Sequence, residues 1–397
     1  MEKITPGMKQ YYEIKESYKD SILFFRMGDF YEMFDEDAEI AHKVLGIAIT
    51  SRNKNSSTPT PLAGIPYHAK EKYLPLLVNA GYKVAIAEQV SDPKLKGIVK
   101  REVLRVVTPA TLGLEGEGYE KDNENNYIVS ITENKGLFGL SYVNFSNNKW
   151  KTSEFNSFEE LATQLYKISP KEVILGKELF SNTKIKDILS KKYSLNIYYF
   201  ETSKDPRKIL LEHFGVKNLE GFGIEDNLEC QRASSQLLEY ISQNQKSSLS
   251  FLNSIGYETF SGKMYLDEST IKSLDLVYNF STKSSTVGTL FGVLNKTKTP
   301  AGARYLKEQI LKPLQNIDEI NQRLDFIEEF SKNTILLDKV REKLKNISDI
   351  NSILNRLALN RALPRDLLNL KKSLIAIVEI YELIQKEGST KLKTILD

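Results

Sequence analysis

The sequence predicts two α/β blocks followed by an all-α block, in a chain of 397 residues. This length suggests about two to three domains, because single hydrophobic cores rarely keep growing past roughly 250–300 residues. Up to residue 245, apolar runs of strand length alternate with segments of helical periodicity, which is typical of sheets covered by helices. From residue 246 onward the apolar residues recur at helical spacing. The 41% hydrophobic and 27% charged residues are those of a globular protein.

The first block, residues 1–111, is predicted to be a small α/β module with a mixed sheet. Thr5 has the character of a helix N-cap, with Pro6 in the first helical position. The run "SILFFRM" then predicts a buried strand, and "DFYEMFDEDAEIAHKVLG" predicts a helix that ends at Gly46. Residues 112–126, "LGLEGEGYEKDNENN", are rich in glycine and in acidic or amide residues, which indicates a linker.

The second and third blocks differ in periodicity. Residues 127–245 begin with strand-like segments, "YIVSIT", "GLFGLSYVNF" and "KWKTSEF". Helical and strand-like segments then alternate through "FEELATQLYKI", "EVIL", "TKIKDILSKK" and "NIYYF", so a second helix-covered sheet is predicted. Residues 246–397 are predicted to be helical, and one of these helices opens at Thr299 and Pro300.

Composition excludes several classes of protein. No apolar run is long enough to span a bilayer, and the N-terminus lacks the apolar centre of a signal peptide, so the chain is predicted to be cytoplasmic. Cys230 is the only cysteine, which excludes a disulfide framework and a cysteine-based zinc site. Residues 41–110 carry eleven lysines and arginines against four acidic residues. Such a local excess suits a polyanionic partner, and it suits a basic surface facing solvent equally well.

The segment "FFRMGDFYEMF", residues 24–34, places a phenylalanine and a carboxylate beside a turn. Asp29 with Glu32 three residues later fits a variant of the capping box, and Phe30 is then the first helical residue. In this interpretation Glu32 caps the helix and interacts with its dipole, while Phe30 packs on an apolar face. The alternative is a binding role for both side chains. Spacing favours capping and packing but does not decide between the two interpretations.

Several longer motifs resemble one family. The motifs "TPGMKQYYEIK", "LFFRMGDFYEMF", "PLAGIPYHA", "KVAIAEQV" and "REVLRVVTPAT" together resemble the mismatch-sensing domain of the bacterial MutS family of DNA mismatch repair proteins. The segments "VLNKTKTPAGARYLKEQILKPL" and "DINSILNRLALNRALPRDLLNLKKSL" resemble the beginning of the same family's helical core. The resemblance implies a mismatch-recognition domain at 1–111, a connector domain with a ribonuclease H-like fold at 127–245, and the first part of a helical core or lever domain at 246–397. The clamp and ATPase domains of the family are expected to lie outside this chain.

The resemblance also implies a mechanism for two residues. In the family, the phenylalanine of a Phe-x-Glu motif enters the minor groove and stacks on a mispaired base of kinked DNA, and the glutamate hydrogen-bonds that base. In this sequence these residues are Phe30 and Glu32. A flat apolar wedge replaces the stacking that is lost when a base step opens, and opening is least costly where pairing is already defective.

Five further residues receive roles from the resemblance. Arg52, placed in the loop after "LGIAIT", and Arg105 are expected to contact the DNA backbone. The motif "AGIPYHA" is expected to form a tight turn near Phe30, shaped by Gly64 and Pro66. His68 is expected either to line the groove or to be a packed or capping histidine, and no catalytic role is assigned to it.

Enzymatic activity is not expected of this chain. Nucleases with a ribonuclease H-like fold hold two metal ions with several carboxylates. In this sequence Ser141 and Asn144 occupy positions where acids would serve, and the next acid is Glu154. The family usually has an aspartate at the position of Asn144, so this residue is a departure.

The P-loop motif is missing as well, since "GYETFSGKM" has one residue too many between its glycines and a methionine after its lysine. We therefore predict no catalytic residue, metal or cofactor here. ATP and Mg²⁺ belong to the ATPase domain of the full-length protein, which is expected to be a weak ATPase.

The implied partner is double-stranded DNA with mismatches or small unpaired loops. The full-length protein is expected to form a homodimer near the nucleoid and to act with downstream repair factors such as MutL, without membrane contact. This chain is expected to be an N-terminal fragment that is mostly monomeric and binds mismatched DNA weakly. Arg304 and Lys307 are expected to contact other helices or solvent rather than DNA. The alternatives are an active nuclease, a non-specific DNA-binding scaffold module, and a structural family member without mismatch preference.

Overall fold

The computed structural model describes residues 5–52, 59–91, 99–112, 126–145, 148–193, 195–202, 204–245, 249, 251–259, 262–279 and 286–394. Two compact units are present, one formed by residues 1–119 with 238–249 and the other by residues 120–237 with 250–397. Most of the linker predicted at 112–126 lies outside the described residues, although Leu112 is buried in a core of the first unit. No described helix has the length and apolar character needed to cross a membrane.

A six-stranded mixed sheet with the order β3-β4-β2-β1-β5-β6 organises the first unit. Its strands are β1 (Ser21–Met27), β2 (Phe30–Phe34), β3 (Ile49–Arg52), β4 (Thr60–Pro66), β5 (Lys83–Gln89) and β6 (Arg101–Val107). Its helices are α1 (Pro6–Ser17), α2 (Asp35–Leu45) and α3 (Lys70–Asn79). Strands β1 and β5 are parallel, and the other neighbours are antiparallel. The α/β module with a mixed sheet is confirmed.

The helix predicted from Phe30 onward begins only at Asp35, and β2 occupies the intervening residues. Gly28 lies in the turn between β1 and β2 with a φ of 58°, which glycine adopts without strain. Strand β2 pairs with β1 on one side and β4 on the other, so its backbone groups are bonded to neighbouring strands. The capping-box spacing of Asp29 and Glu32 therefore does not start a helix, and that prediction was wrong.

Two hydrophobic cores occupy the two faces of this sheet. On the face that α2 and α3 cover, the buried residues include Phe24, Tyr31, Met33, Ala38, Ala41, Ile65, Leu74, Leu77 and Ile86. On the face that α1 covers, they include Met8, Tyr11, Leu23, Phe25, Phe34, Ala87 and Val103. Successive residues of a strand point to opposite faces. Residues 30, 32 and 34 of β2 therefore share the α1 face.

The motif "AGIPYHA" does not form the tight turn that was predicted. Gly64 and Pro66 belong to β4, opposite Glu32 and Phe30 of β2 respectively. A single 3₁₀ turn, Tyr67–Ala69, follows the strand before α3 begins. The two residues therefore act as strand partners of the hairpin rather than as turn residues.

A second six-stranded sheet, with the order β11-β10-β7-β8-β9-β12, organises the other unit. The strands are β7 (Tyr127–Asn134), β8 (Leu137–Asn144), β9 (Lys149–Phe155), β10 (Glu172–Leu175), β11 (Asn196–Tyr199) and β12 (Gly256–Tyr257). The helices up to residue 245 are α4 (Phe158–Ile168), α5 (Lys177–Ser181), α6 (Thr183–Asp187), α7 (Pro206–Phe214) and α8 (Leu228–Gln245). Helix α8 belongs to this unit up to residue 237, and its remainder belongs to the first unit. The alternation of strands and helices follows the predicted order. Strand β12 does not, because it lies in the block that was predicted to be helical throughout.

Helices build the remainder of the second unit. They are α9 (Glu268–Ser273), α10 (Leu290–Leu294), α11 (Pro300–Leu311), α12 (Ile317–Lys332), α13 (Thr334–Leu344), α14 (Ile350–Ala358), α15 (Pro364–Glu387) and α16 (Thr390–Lys393). Thr299 caps α11 by accepting a hydrogen bond from the backbone N–H of Gly302. Arg304 on α11 pairs with both carboxylate oxygens of Asp349 at 2.6 and 3.0 Å. This arginine therefore makes an interhelical contact, as the sequence predicted.

Gly139 in β8 lies against the first turn of α8. A Cβ at this position would overlap the backbone carbonyl of Glu229 and come within 2.7 Å of Thr132 Oγ1. We expect Gly139→Ala to lower the free energy of unfolding by about 2 kcal/mol, because the obstacle is backbone and the helix must move. Urea unfolding followed by the fluorescence of Trp150, the only tryptophan, measures this change.

Gly221→Ala is the matched control for this substitution, because nothing lies within 4 Å of a Cβ added at Gly221. Its unfolding free energy should change by less than about 0.5 kcal/mol, as for most surface substitutions. Equal stability of the two alanine variants would contradict the close approach of α8 to β8.

Candidate nucleic-acid interface

The end of the β1–β2 hairpin exposes a large aromatic side chain. Phe30 is the first residue of β2, and 47% of its surface is accessible to solvent. Its neighbours in the sheet are Met27 of β1 and Pro66 of β4. In the same row of β2, Phe34 is fully buried under α1 and Glu32 is half-buried. Phe30 therefore lies at the exposed end of this row, beyond the part of the face that α1 covers.

Glu32 lies on the same face as Phe30, between Phe25 of β1 and Gly64 of β4. The glycine keeps the space above the strand open. A Cβ at Gly64 would lie 3.9 Å from Phe30 Cδ1 and 3.9 Å from Glu32 Cγ, in contact with both side chains. The Phe30 ring and the Glu32 carboxyl group therefore stand side by side with no side chain between them on β4.

Two arginines surround the Glu32 carboxyl group. Arg52 Nη1 lies 3.4 Å from Glu32 Oε2 and also 3.7 Å from the sulfur of Met27. Burial raises the pKa of the Glu32 carboxyl above its usual value, and the positive charges of Arg52 and Arg101 oppose that rise. The predicted loop position of Arg52 was wrong, because it is the last residue of β3 and pairs with Thr60. A half-buried acid beside a guanidinium group can accept hydrogen bonds, or donate one when protonated.

The sequence did not single out Arg101, a residue of the edge strand β6 whose charge acts on Glu32. Its Nε donates to the backbone carbonyl of Arg26 at 2.5 Å, and its guanidinium lies 5.0 Å from the centre of the Phe25 ring. Burial lowers the pKa of Arg101, and the negative charge of Glu32 opposes that effect. No local signal in the sequence distinguishes this arginine from the other basic residues of the block.

Arg105 lies on the opposite face of the sheet. Its partner in β5 is Ile86, which belongs to the core under α2 and α3. A bulge between Ile86 and Ala87 shifts the register, so Arg101 and Arg105 point to opposite faces although four residues separate them. The structure therefore does not bring Arg105 together with Phe30 and Glu32.

His68 stands near the hairpin turn rather than in a core. It is exposed in the 3₁₀ turn after β4, and its ring lies 5.8 Å from the ring of Tyr67. The backbone N–H of Tyr67 donates to the carbonyl of Asp29 at 2.9 Å, which ties this turn to the hairpin. Arg26 stacks on Tyr67 with its guanidinium carbon 3.6 Å from the ring centre. The hairpin end therefore also carries a cation stacked on an aromatic ring, on the face of Tyr31 rather than on that of Phe30.

The acidic and polar residues considered for a nuclease site serve the packing of the second unit. Ser141 accepts a hydrogen bond from the indole N–H of Trp150 at 2.9 Å, and Asn144 is fully buried. Glu154 accepts hydrogen bonds from the backbone N–H groups of Glu229 and Cys230 at 3.2 and 3.4 Å, at the beginning of α8. Among the described residues, no three histidine, cysteine or acidic side chains are grouped closely enough to hold a metal ion.

Three protein-family models match most of the chain. The family model described as MutS domain I matches residues 5–115, MutS domain II matches residues 126–253, and MutS domain III matches residues 269–396. The hairpin with Phe30 and Glu32 lies inside the first of these matches.

Curated relatives cover the chain from end to end. The DNA mismatch repair protein MutS of Halothermothrix orenii is 39% identical over 399 residues, which are 99% of this chain and 44% of the relative. The proteins of the same name from Methanosarcina mazei and Lachnoclostridium phytofermentans are each 39% identical over 100% of this chain, and the matches cover 46% and 43% of those relatives. The chain therefore spans less than half the length of these relatives. The domain matches and the relatives agree, and the chain belongs to the MutS family.

Proposed function

We propose that this chain recognises mispaired or unpaired bases in double-stranded DNA as part of DNA mismatch repair. In this proposal the Phe30 ring enters the minor groove and stacks on the mispaired base, and Glu32 hydrogen-bonds the same base. The observation that carries the proposal is the exposure of Phe30, 47% accessible at the end of a hairpin in the residues that match MutS domain I. Soluble proteins bury most aromatic rings, so an exposed one beside a carboxylate and several cations favours a binding role.

In this proposal the chain distinguishes mismatched from intact duplex mainly by how easily the DNA opens and bends. Wedging a ring into a base step costs a few kcal/mol of stacking and kinks the duplex. A mispaired step has already lost part of its pairing, so it opens and bends at lower cost than an intact step. The Phe30 side chain is held by a paired strand rather than by a free loop, because β2 has neighbours on both sides. The ring therefore meets the duplex in a fixed position.

Glu32 acts in the proposal as a penalty against intact duplex. An ionised carboxylate facing phosphates weakens binding electrostatically. A mismatched base that offers a hydrogen-bond donor, or protonation of the acid, removes that penalty. The raised pKa of Glu32, caused by its burial, makes protonation in the complex easier than for an exposed glutamate. The nearby Arg52 supplies a positive charge that a phosphate can also use.

The test compares the affinity of the chain for three labelled duplexes by fluorescence anisotropy at one fixed salt concentration, because phosphate contacts depend strongly on salt. The duplexes share one sequence and carry a G·T pair, an unpaired T, or no defect. We expect tighter binding to both defective duplexes. Equal affinity for all three would leave only a general DNA-binding module and would refute the proposal.

Glu32→Ala is expected to reduce the preference for mismatched duplex by about three- to tenfold, mainly because the intact duplex binds more tightly once the carboxylate is removed. This range corresponds to the roughly 0.7–1.4 kcal/mol of one modest charge interaction at an incompletely buried site. Glu36→Ala, an acid on α2 of the same unit, is the control. An unchanged preference in Glu32→Ala would indicate discrimination by shape alone.

The wider roles implied by the family remain proposals of the same kind. We propose that the residues matched by MutS domain II form a ribonuclease H-like connector, and that those matched by MutS domain III form part of a core that relays between DNA and a distant ATPase site. A full-length parent would bind ATP and Mg²⁺, form a homodimer and act with a MutL partner in the cytoplasm. Sedimentation of this chain at micromolar concentration, which we expect to show mostly monomer, tests whether it dimerises without further domains.

A further inference from the structure

A cavity of about 240 Å³ in the second unit is lined by an unusual number of cations. The sheet supplies one wall through β7, β8 and β9, α4 supplies another, and α11 with the residue after it supplies a third. The cationic side chains are Lys149, Lys151, Lys167, Arg304, Lys307 and Lys312.

Carboxylates compensate only part of this charge. Glu258 bonds Lys151 at 2.9 Å and Lys312 at 2.7 Å. Asp349 pairs with Arg304 as described above, and Glu308 lies 3.3 Å from Lys149. Asp267 makes no ion pair with Lys167 but its charge acts on that lysine. Six cations thus face four carboxylates in and around the cavity, which leaves an excess of two positive charges.

Lys167 and Lys307 are the two lining cations for which the described residues offer no carboxylate at ion-pair distance. Lys307 Nζ donates to the neutral hydroxyl of Tyr278 at 2.5 Å. Lys167 forms no ion pair with a carboxylate in the described part of the chain, and its ammonium lies 5.3 Å from the ring centre of Tyr265. Burial, followed by the charge of nearby Lys312, lowers the pKa of Lys167 to about 8. Holding such cations together without counter-charge is unfavourable, so the cavity favours an anion.

We propose that this cavity binds a small oligophosphate, either free pyrophosphate or the phosphate chain of a nucleotide, with Lys167 and Lys307 as its charged contacts. An excess of two positive charges suits a polyanion better than a monoanion such as chloride. The cavity is smaller than the roughly 300–1,000 Å³ typical of drug-sized ligands, which suits a compact anion. Lysine ammonium groups are effective donors to phosphate oxygens. Tyr127 and Tyr305 complete the lining with aromatic surface.

Titration calorimetry of the chain with inorganic pyrophosphate tests this proposal. We expect saturable binding of one anion per chain. Lys167→Met and Lys307→Met should each weaken binding by about tenfold or more, as expected for the loss of a hydrogen bond between charged groups. Both substitutions keep an aliphatic stem and break no ion pair. Lys208→Met, at an exposed lysine on α7, is the matched control and should bind normally.

A substitution that should strengthen anion binding separates the proposal from a simple loss of folded protein. Glu308→Gln removes the acid beside Lys149 and should tighten pyrophosphate binding. Titration with ADP then distinguishes the sources of the phosphate: affinity above that of pyrophosphate indicates a nucleotide, and lower affinity indicates the free anion. Absence of saturable pyrophosphate binding, or binding that Lys167→Met and Glu308→Gln leave unchanged, would overturn the proposal.

Discussion

Replacement of Phe30 by alanine is expected to weaken binding to G·T or unpaired-T duplex by about 10- to 100-fold and to leave binding to matched duplex nearly unchanged. The estimate follows from the roughly 1–3 kcal/mol that stacking of one base on an aromatic ring contributes. Matched duplex does not admit the ring at tolerable cost, so it has little affinity to lose. The ratio of the two affinities should therefore fall towards one.

The stability of the folded chain should be unaffected, since nearly half of the Phe30 side chain faces solvent and its loss opens no cavity in either core. We expect its unfolding free energy to change by less than about 0.5 kcal/mol. Phe30→Tyr, which keeps a flat ring, should retain most of the preference. Tyr82→Ala removes another partly exposed aromatic ring of the first unit and serves as the control. A Phe30→Ala variant with full mismatch preference would exclude the ring as the wedge.

The hairpin illustrates why the local pattern predicted the wrong element, a helix where the structure has a strand. Residues 30–34 carry apolar side chains that fit a helical stripe, and the Asp29–Glu32 spacing fits a helix start. The competing information is non-local, because β4 pairs with β2 and places Pro66 and Gly64 opposite Phe30 and Glu32. No rule based on neighbouring residues contains that pairing. The block order and the mixed sheet could be predicted because they depend on apolar periodicity along the chain.

The charged residues around Glu32 also could not be identified from the sequence alone. Arg52 and Arg105 were both expected to contact the DNA backbone, and of these two only Arg52 forms an ion pair with Glu32. The bulge in β6 places Arg105 on the other face and Arg101 on the face of Glu32, where the charge of Arg101 acts on the acid. A bulge inserts one residue into a strand and leaves no dependable mark in the sequence. Only the folded structure therefore shows which arginines act on Glu32.

Glu258 is the buried acid of the second unit on which pH should act most strongly. It follows β12, and only 9% of its surface is accessible. Its carboxylate accepts hydrogen bonds from Tyr142 and Gln164 at 2.5 and 3.3 Å, besides its two lysine partners. Burial alone would raise its pKa, but Lys312 and Lys151 outweigh burial and lower the pKa to about 2 from a usual value of 4.5. The folded state therefore favours the ionised form.

Glu258→Gln is accordingly expected to lower the free energy of unfolding by about 3 kcal/mol at pH 7, because a pKa difference of this size is equivalent to about that free energy. A pKa that is depressed in the folded state contributes its stability fully above pH 4.5 and loses it as the pH falls towards 2. The difference between the original chain and the variant should therefore be constant from pH 7 to about pH 5 and shrink below that.

Urea unfolding at a series of pH values, followed by the fluorescence of Trp150 in β9, measures the difference in unfolding free energy between the original chain and Glu258→Gln. All other acidic groups are the same in the two proteins, so the pH dependence of this difference comes from Glu258. Glu212→Gln, at an exposed acid on α7, should lie within about 0.5 kcal/mol of the original chain at every pH. A Glu258→Gln deficit that persisted unchanged at pH 2 would mean that the glutamate stabilises the unit by its shape and neutral hydrogen bonds. In that case the attraction between Glu258 and its two lysines would contribute nothing net, because the cost of removing all three charges from water would offset it.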